Sequence, residues 1–334
     1  MPKTYYLFNP GRLSRRDHSL KFTPVNEAGK EGKPKFLPVQ DIAELFVLGS
    51  LDANSMLYNF LAKQRIMVHF FDYYENYTGS FMPKEYLLAG KMQVAQTAAY
   101  LTPKKRLPIA HQFLIGAMHN MLKNVSYYQN RGKNLEKGKL KQFYEVVQQA
   151  DIASIPELMG IEGNARICYY GAFDSIIGSF KMQGRNKQPP VNEVNALLSF
   201  GNSLCYALCL SQIYHTQLNP TISFLHEPGF RRYSLALDIA EVFKPLLVDR
   251  IIFRLLNQRQ LQAKHFDKRL EACHLNDLGR KIFLKTWDER LKETIKHRSL
   301  GKKVSYRQLV RLECYKLAKH LLGIDQYRPF KMWW

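Results

Sequence analysis

Near residue 85 short strand-like runs give way to long segments of helical period, and that switch restricts the chain to two unlike parts. Before it, Thr4–Phe8, Ser19–Thr23, Glu44–Leu48, Ile66–Phe71 and Tyr77–Met82 read as strands, punctuated by Asn9-Pro10-Gly11, Pro24, Gly49 and Pro83. Asn54 is placed to cap one short helix, Ser55–Lys63. After Glu85 helical spacing dominates to about residue 323. A length of 334 residues supports two domains of ~150 residues each. The expected fold is α+β: a small β-rich domain over residues 1–85, followed by a larger all-α domain over residues 86–334.

Composition is ordinary except in charge. Lys and Arg number 49 against 28 Asp and Glu, a formal net of +21. A surface that positive repels itself and calls for an anionic partner, nucleic acid first. The excess is blocked: residues 101–142 carry nine basic residues and one acid, and residues 281–334 carry fourteen and five. Lys302, Lys303 and Arg307 fall in the second block, among interleaved aromatics, and are candidate DNA-backbone contacts. The stretch from Arg131 to Lys141, with Gly132 and Gly138, reads as a mobile connection between helices. No glycine-rich phosphate loop or nucleophile motif supports a small-molecule enzyme. The start lacks the apolar run of a signal peptide, and the longest apolar stretch, Val194–Tyr214, is interrupted by polar residues as a buried helix is and a membrane span is not. Five cysteines without a C-x-x-C pair suit core packing in a reduced, cytoplasmic protein.

Three places put acidic or imidazole groups in apolar or glycine-marked settings. Ser154-Ile-Pro-Glu157 fits a capping box that starts a helical turn, and Glu162, flanked by Gly160 and Gly163, then opens a second helix to about Phe180. Arg166 lies four residues on, which also describes a plain helix-surface ion pair. His226 ends an apolar run at a Pro-Gly turn, with Arg231 and Arg232 just beyond as candidate DNA contacts. The segment Ser234–Arg250 is apolar on most sides, and its polar positions 234, 238, 241 and 249 can share one face of a helix. Asp238 and Glu241 then face an internal cleft, where a divalent metal, Lys244 or an arginine must neutralise them. Two carboxylates and one imidazole suit Mn²⁺ or Mg²⁺, and on a basic protein such a site points to metal-assisted phosphodiester chemistry. Asn195, Ser199 and Asn202 lie on one helix face, as interhelical hydrogen-bonding groups do.

Gly160-Ile-Glu-Gly-Asn-Ala-Arg166, Asn195–Leu204, Phe224-Leu-His-Glu-Pro-Gly229 and Ser234–Pro245 resemble the CRISPR-associated endonuclease/integrase of the spacer-acquisition machinery. Ile66–Tyr74 and Tyr77–Phe81 are similar to that family's β-domain. Glu193-Val194 and Phe230 depart from the family's pattern. The resemblance implies a helical catalytic domain, dimerisation through the N-terminal halves, and a small CRISPR-associated adaptation partner. It implies that Glu162, His226 and Glu241 bind the metal, with Asp238 a nearby acid of the same site, and that foreign DNA, as duplex, branched or 3′-overhang fragments, is inserted as new spacers into the repeat array. A competing reading is a metal-independent, non-catalytic nucleic-acid-binding scaffold in which the carboxylates pair with Arg166 and Lys244. The aromatic tail, Asp325–Trp334, is expected either to dock a partner or to fold back onto the helical core.

Overall fold

Short strands, some alternating buried and more exposed side chains and two buried nearly throughout, build two four-stranded sheets in the first part of the chain. The computed structural model describes every residue except 1, 2, 27, 73, 86, 136, 137, 150, 151, 187, 188, 230–232, 270 and 271. Its contacts divide between residues 1–86 and 87–334. In the first unit, β1 (Lys3–Leu7), β5 (Ile42–Val47), β7 (Met67–Phe71) and β8 (Tyr77–Phe81) form one sheet in the order β1-β5-β7-β8. The first three strands are parallel neighbours, and β8 closes the sheet antiparallel. The second sheet, β4-β3-β2-β6, uses β2 (Gly11–Arg16), β3 (Ser19–Pro24), β4 (Lys35–Pro38) and the two-residue β6 (Leu51–Asp52). Helix α1 (Ser55–Lys63) begins at Asn54, whose side chain accepts from the Leu57 amide at 3.0 Å. Leu20, Leu45, Leu61 and Val68 are fully buried in the core of this unit.

The second unit is mainly helical: α2 (Gly90–Leu101), α3 (Pro103–Gln129), α4 (Gly138–Gln149), α5 (Ile155–Gly171), α6 (Phe173–Ile176), α7 (Glu193–Tyr214), α8 (Ser234–Lys244), α9 (Arg250–Asn257), α10 (Asp277–Lys292) and α11 (Tyr306–Leu321). It is not all-α. Two small antiparallel pairs, β9 (Phe266–Arg269) with β10 (Ala272–Leu275) and β11 (Thr294–Lys296) with β12 (Lys303–Ser305), interrupt the helices. Runs of three or four residues are too short for a period to register. Helix α7 is long and apolar enough to cross a membrane by length and composition, but most of its apolar window is buried inside the unit. Asn195 and Ser199 on it hold the preceding loop: Asn195 Oδ1 accepts from the Asn186 amide at 2.9 Å, and Arg185 donates to Asn195 and Ser199.

Three further expectations change. Glu162 does not open a second helix, because α5 runs unbroken from Ile155 to Gly171 through both glycines, whose Cβ positions would meet open space. The Arg131–Lys141 connection is shorter than expected, since α4 already begins at Gly138. The segment 234–250 is not one α-helix: a π turn, Pro245–Asp249, separates α8 from α9 and shifts the register of position 249.

The tail folds back. Phe330 and Met332 are buried; Asn120 on α3 donates to the Phe330 carbonyl and accepts from the Met332 amide at 2.8 Å. Tyr327 Oη and the Phe330 amide both donate to the buried Glu313 of α11. Aromatic burial and these paired polar groups outweigh the cost of ordering a chain end.

Gly201 sets the closest packing of α7. A Cβ there would lie 2.5 Å from Val248 Cγ1 in the π turn and 3.2 Å from Phe283 Cζ on α10. Gly201→Ala is therefore expected to destabilise the protein by about 1–3 kcal/mol. Val248→Ala in the same chain should return part of that loss. Denaturant melts of the two single variants and the double variant check this, and additive losses would show that the two positions do not touch.

Candidate active site

Three elements bring the acidic and imidazole groups together. Ser154 caps α5, accepting from the Glu157 amide at 3.4 Å, and proline in the first turn needs no amide partner. Glu162 follows two turns later, and Arg166 one turn beyond it. Arg166 Nε donates to Glu162 Oε1 at 2.5 Å, while its Nη2 reaches Glu241 Oε2 on α8. Lys244 Nζ takes the other oxygen of Glu241 at 2.6 Å. The expected helix-surface pair is thus real, but it also crosses to a second helix.

Asp238, one turn before Glu241, has no exposed surface. One of its oxygens accepts from the Phe224 and Leu225 amides at 2.7 and 3.0 Å. The other accepts from the His226 amide at 2.9 Å and from His226 Nδ1 at 2.8 Å. A carboxylate can only accept, so Nδ1 carries the hydrogen and Nε2 is left as the basic nitrogen. Ser223 Oγ donates to the His226 carbonyl at 2.6 Å, closing the turn on itself.

Sequence reasoning missed the outer braces of this turn. Arg106 Nε donates to the Phe224 carbonyl at 2.9 Å, and its Nη2 pairs with Glu227. Tyr100 Oη donates to the same carboxylate at 2.6 Å. Arg106 belongs to the first basic block, so charge counting assigned it to DNA. Its one legible signal is Glu227, which sits inside the His-Glu-Pro-Gly motif and offers a carboxylate to a nearby cation. A cavity of about 840 Å³ opens beside His226, with Arg106, Ile155 and Met159 among its walls.

The charges are strongly coupled. Burial works against ionised Glu241, but Arg166, Lys244 and His226 overcome it and hold the carboxyl well below the usual range. Burial likewise opposes the Arg166 and Lys244 cations, yet the facing acids raise both above their ordinary values. For His226, burial pulls the pKa down, while the hydrogen bond and charge of Asp238, then Glu241, carry it above the ordinary value.

Of the other candidates, Lys302 and Lys303 are exposed along the β11–β12 hairpin, and Arg307 is half-buried in the first turn of α11. None of these elements carries the carboxylates. Arg231 and Arg232 lie outside the described residues. Among the described residues no three His, Cys, Asp or Glu side chains converge on a common point, so Glu162, His226 and Glu241 are not a ready-made ligand cage. The reason is local: Arg166 stands between the two carboxylates, and His226 turns Nδ1 inward to Asp238. The donors nevertheless fit Mn²⁺ or Mg²⁺ in kind, since two acid oxygens already share one cation beside an imidazole whose Nε2 is basic.

Residues 5–289 match the family model described as CRISPR associated protein Cas1, and the chain belongs to that family. A CRISPR-associated endonuclease Cas1 of Thermodesulfovibrio yellowstonii is 44% identical over 333 residues, spanning 99% of this chain and 100% of that relative. The solved structure of a Cas1 protein from Thermotoga maritima is similar at 37% identity with a TM-score of 0.86, covering 98% of this chain and 100% of that one. Two more distant structures share the fold. A casposase bound to integration product has 19% identity and a TM-score of 0.84, over 98% of this chain and 92% of its own. A Cas6-RT-Cas1–Cas2 complex has 18% identity and a TM-score of 0.82, over 99% of this chain and 36% of its own.

The Asp238–His226 pair sets a pH response. A raised histidine pKa stabilises the folded protein below the ordinary value of about 6.5. That contribution is lost as pH climbs through the raised value. Asp238→Asn should move the His226 titration, followed by NMR, downward and flatten this part of the stability profile. An unchanged titration would mean that Asp238 does not hold the imidazole.

Proposed function

We propose that this chain is a divalent-metal-dependent DNA endonuclease/integrase that inserts foreign DNA fragments as new spacers into a CRISPR array. The observation that carries the reading is the meeting of Glu162 and Glu241, from separate helices, on one cation beside the Asp238-held His226, in a chain of the Cas1 family. The named endonuclease activity of its relative supports hydrolysis, and the casposase–product complex supports strand joining on this fold.

Glu162, Glu241 and His226 are assigned to hold Mn²⁺ or Mg²⁺. When bound, the ion supplies Lewis-acid polarisation of a phosphodiester and stabilises developing charge on its oxygens. Asp238 keeps the imidazole in one tautomer, so Nε2 always faces outward, whether as a ligand or to take up a proton. Arg106 and Glu227 keep the turn from shifting as DNA arrives. In integration the nucleophile is the 3′-OH of the incoming strand, which forms one phosphodiester as another breaks; in hydrolysis it is water. Lys302, Lys303, Arg307, Arg231 and Arg232 are assigned to the DNA backbone. The protein acts in the cytoplasm as a homodimer joined through its N-terminal halves. A small Cas2-type partner completes the assembly, a pairing supported by the Cas1–Cas2 complex of similar fold.

A second reading has a specific observation behind it: Arg166 and Lys244 already neutralise Glu241, as they would in a metal-independent DNA-binding scaffold. Calorimetric titration with Mn²⁺ separates the two, because only the first requires stoichiometric binding that Glu162→Gln and Glu241→Gln both remove. Strand transfer of a short duplex into supercoiled plasmid, with the small partner present, should be abolished in both variants at any Mn²⁺ concentration. Asp238→Asn should lose ~10–100-fold and recover in part as metal is raised. All three should still bind DNA. Normal strand transfer by Glu162→Gln and Glu241→Gln would overturn the metal reading.

A further inference from the structure

Behind the ion pairs of the candidate site runs a line of polar side chains that the proposed chemistry does not use. Asn124, Tyr169 and Asp249 come from α3, α5 and the π turn, and none is more than 2% exposed. Asn124 is held from one side by Arg250, half-buried in the wall of a second cavity, whose Nε donates to Asn124 Oδ1 at 2.8 Å. A guanidinium can only donate, so the Asn124 oxygen faces Arg250 and its amide hydrogens face elsewhere. They reach Tyr169 Oη at 2.9 Å and the Pro245 carbonyl at 2.8 Å. The Tyr169 oxygen accepts there, and its own proton is donated to Asp249 Oδ2 at 2.8 Å. Every hydrogen bond in the line therefore has one direction.

Both ends of the line are tied to the site. Glu162, Arg166 and Tyr169 are spaced four and three along α5 and share one face, so fixing Tyr169 fixes the turns that carry the two charges. On the other side, Glu241 lies four residues before Pro245. Proline has no amide to give the Glu241 carbonyl, and the chain goes over to π spacing through Asp249. A helix opened in this way needs a hold from outside, and Asn124 and Tyr169 grip the first and last residues of the turn. Apolar side chains of similar volume can fill such a space without loss of stability, but fully paired hydrogen bonds admit only one register.

We propose that Asn124, Tyr169 and Asp249 are positioning residues: by clamping α5 to the π turn they set the distance between Glu162 and Glu241. The consequence for metal affinity rests on the reading proposed above; the clamp itself does not.

Tyr169→Phe and Asp249→Ala should each weaken Mn²⁺ binding, measured by calorimetry without DNA, by about tenfold. Their double variant should lose no more than about twofold beyond the weaker single variant, because all three remove one and the same contact. Asp249→Asn keeps an oxygen for Tyr169 and matches the neutral form that burial favours by pushing this carboxyl up to about 7. It should stay within about threefold of the parent. Strand transfer by Tyr169→Phe should recover as Mn²⁺ is raised, with KM for DNA unmoved. Leu284→Ala, in the buried face of α10, which carries no group of the site, should melt at least as early as Tyr169→Phe and bind Mn²⁺ normally. Cys168, adjoining Tyr169, gives a readout that needs no metal, since it is the one cysteine of five that is not buried. Its labelling by a thiol reagent should quicken about three- to tenfold in Tyr169→Phe and Asp249→Ala, and in neither Asp249→Asn nor Leu284→Ala. Unchanged Mn²⁺ affinity in both single variants, or an equal loss in Leu284→Ala, would overturn the positioning role. If the parent binds no Mn²⁺, the metal reading falls and Cys168 decides: that labelling pattern upholds the clamp, and equal rates in all variants overturn it.

Discussion

Two acids from different helices can share a low-polarity cleft only if a cation stands between them, and here that cation is Arg166. Its guanidinium has the planar fork to serve Glu162 on its own helix and Glu241 on α8 together. Removing one partner of such a buried pair leaves an uncompensated charge, at a cost of about 3–5 kcal/mol. The ion pairs therefore fix the spacing of α5 and α8 as firmly as apolar packing does. Behind them a neutral line of contacts repeats the connection: Asn124 on α3 donates to Tyr169 Oη and to the Pro245 carbonyl, and Tyr169 Oη donates to Asp249 at 2.8 Å. Burial pushes the Asp249 carboxyl up to about 7, so this acid, unlike Glu241, is poorly matched by positive charge.

The frame that holds these helices is α7. Apolar nearly all round, it has to be enclosed, and α8, the π turn and α11 pack against it. The π turn lets Val248 sit over Gly201 while Asp249 turns back toward Tyr169. The C-terminal strap ties α3 to α11 through Asn120 and Glu313. The polar groups of the site thus sit at the edge of a core whose geometry is set elsewhere.

Much of this was legible in the residues. Asn54 and Ser154 marked their helix starts because a side-chain oxygen at a cap has a local partner. Asp238 and Glu241 were placed on one face because both lie inside α8, where a constant period holds. Position 249 escaped that argument, since the π turn adds a residue that no spacing rule anticipates. Local sequence also could not show that Arg106 faces Glu227, 121 residues away, or that Arg166 reaches across to Glu241. Composition counts a cation the same way whether it meets DNA, braces a turn or, like Arg250, lies half-enclosed in a cavity. Edge strands such as β4 and β6 were missed because four and two residues are too few for alternation to stand out.

The backbone amides of Phe224, Leu225 and His226 all point inward to Asp238. Many phosphate-handling turns present such amides to the ligand, and amides cannot be altered by substitution. At this lip those donors are already engaged, so contact with a phosphate ligand would fall to side chains. Side chains can be exchanged one at a time without moving the imidazole. The grip on a ligand at the lip and the position of the imidazole behind it are thereby separable: single substitutions at the rim can alter the first while Asp238 and its three amide donors hold the second.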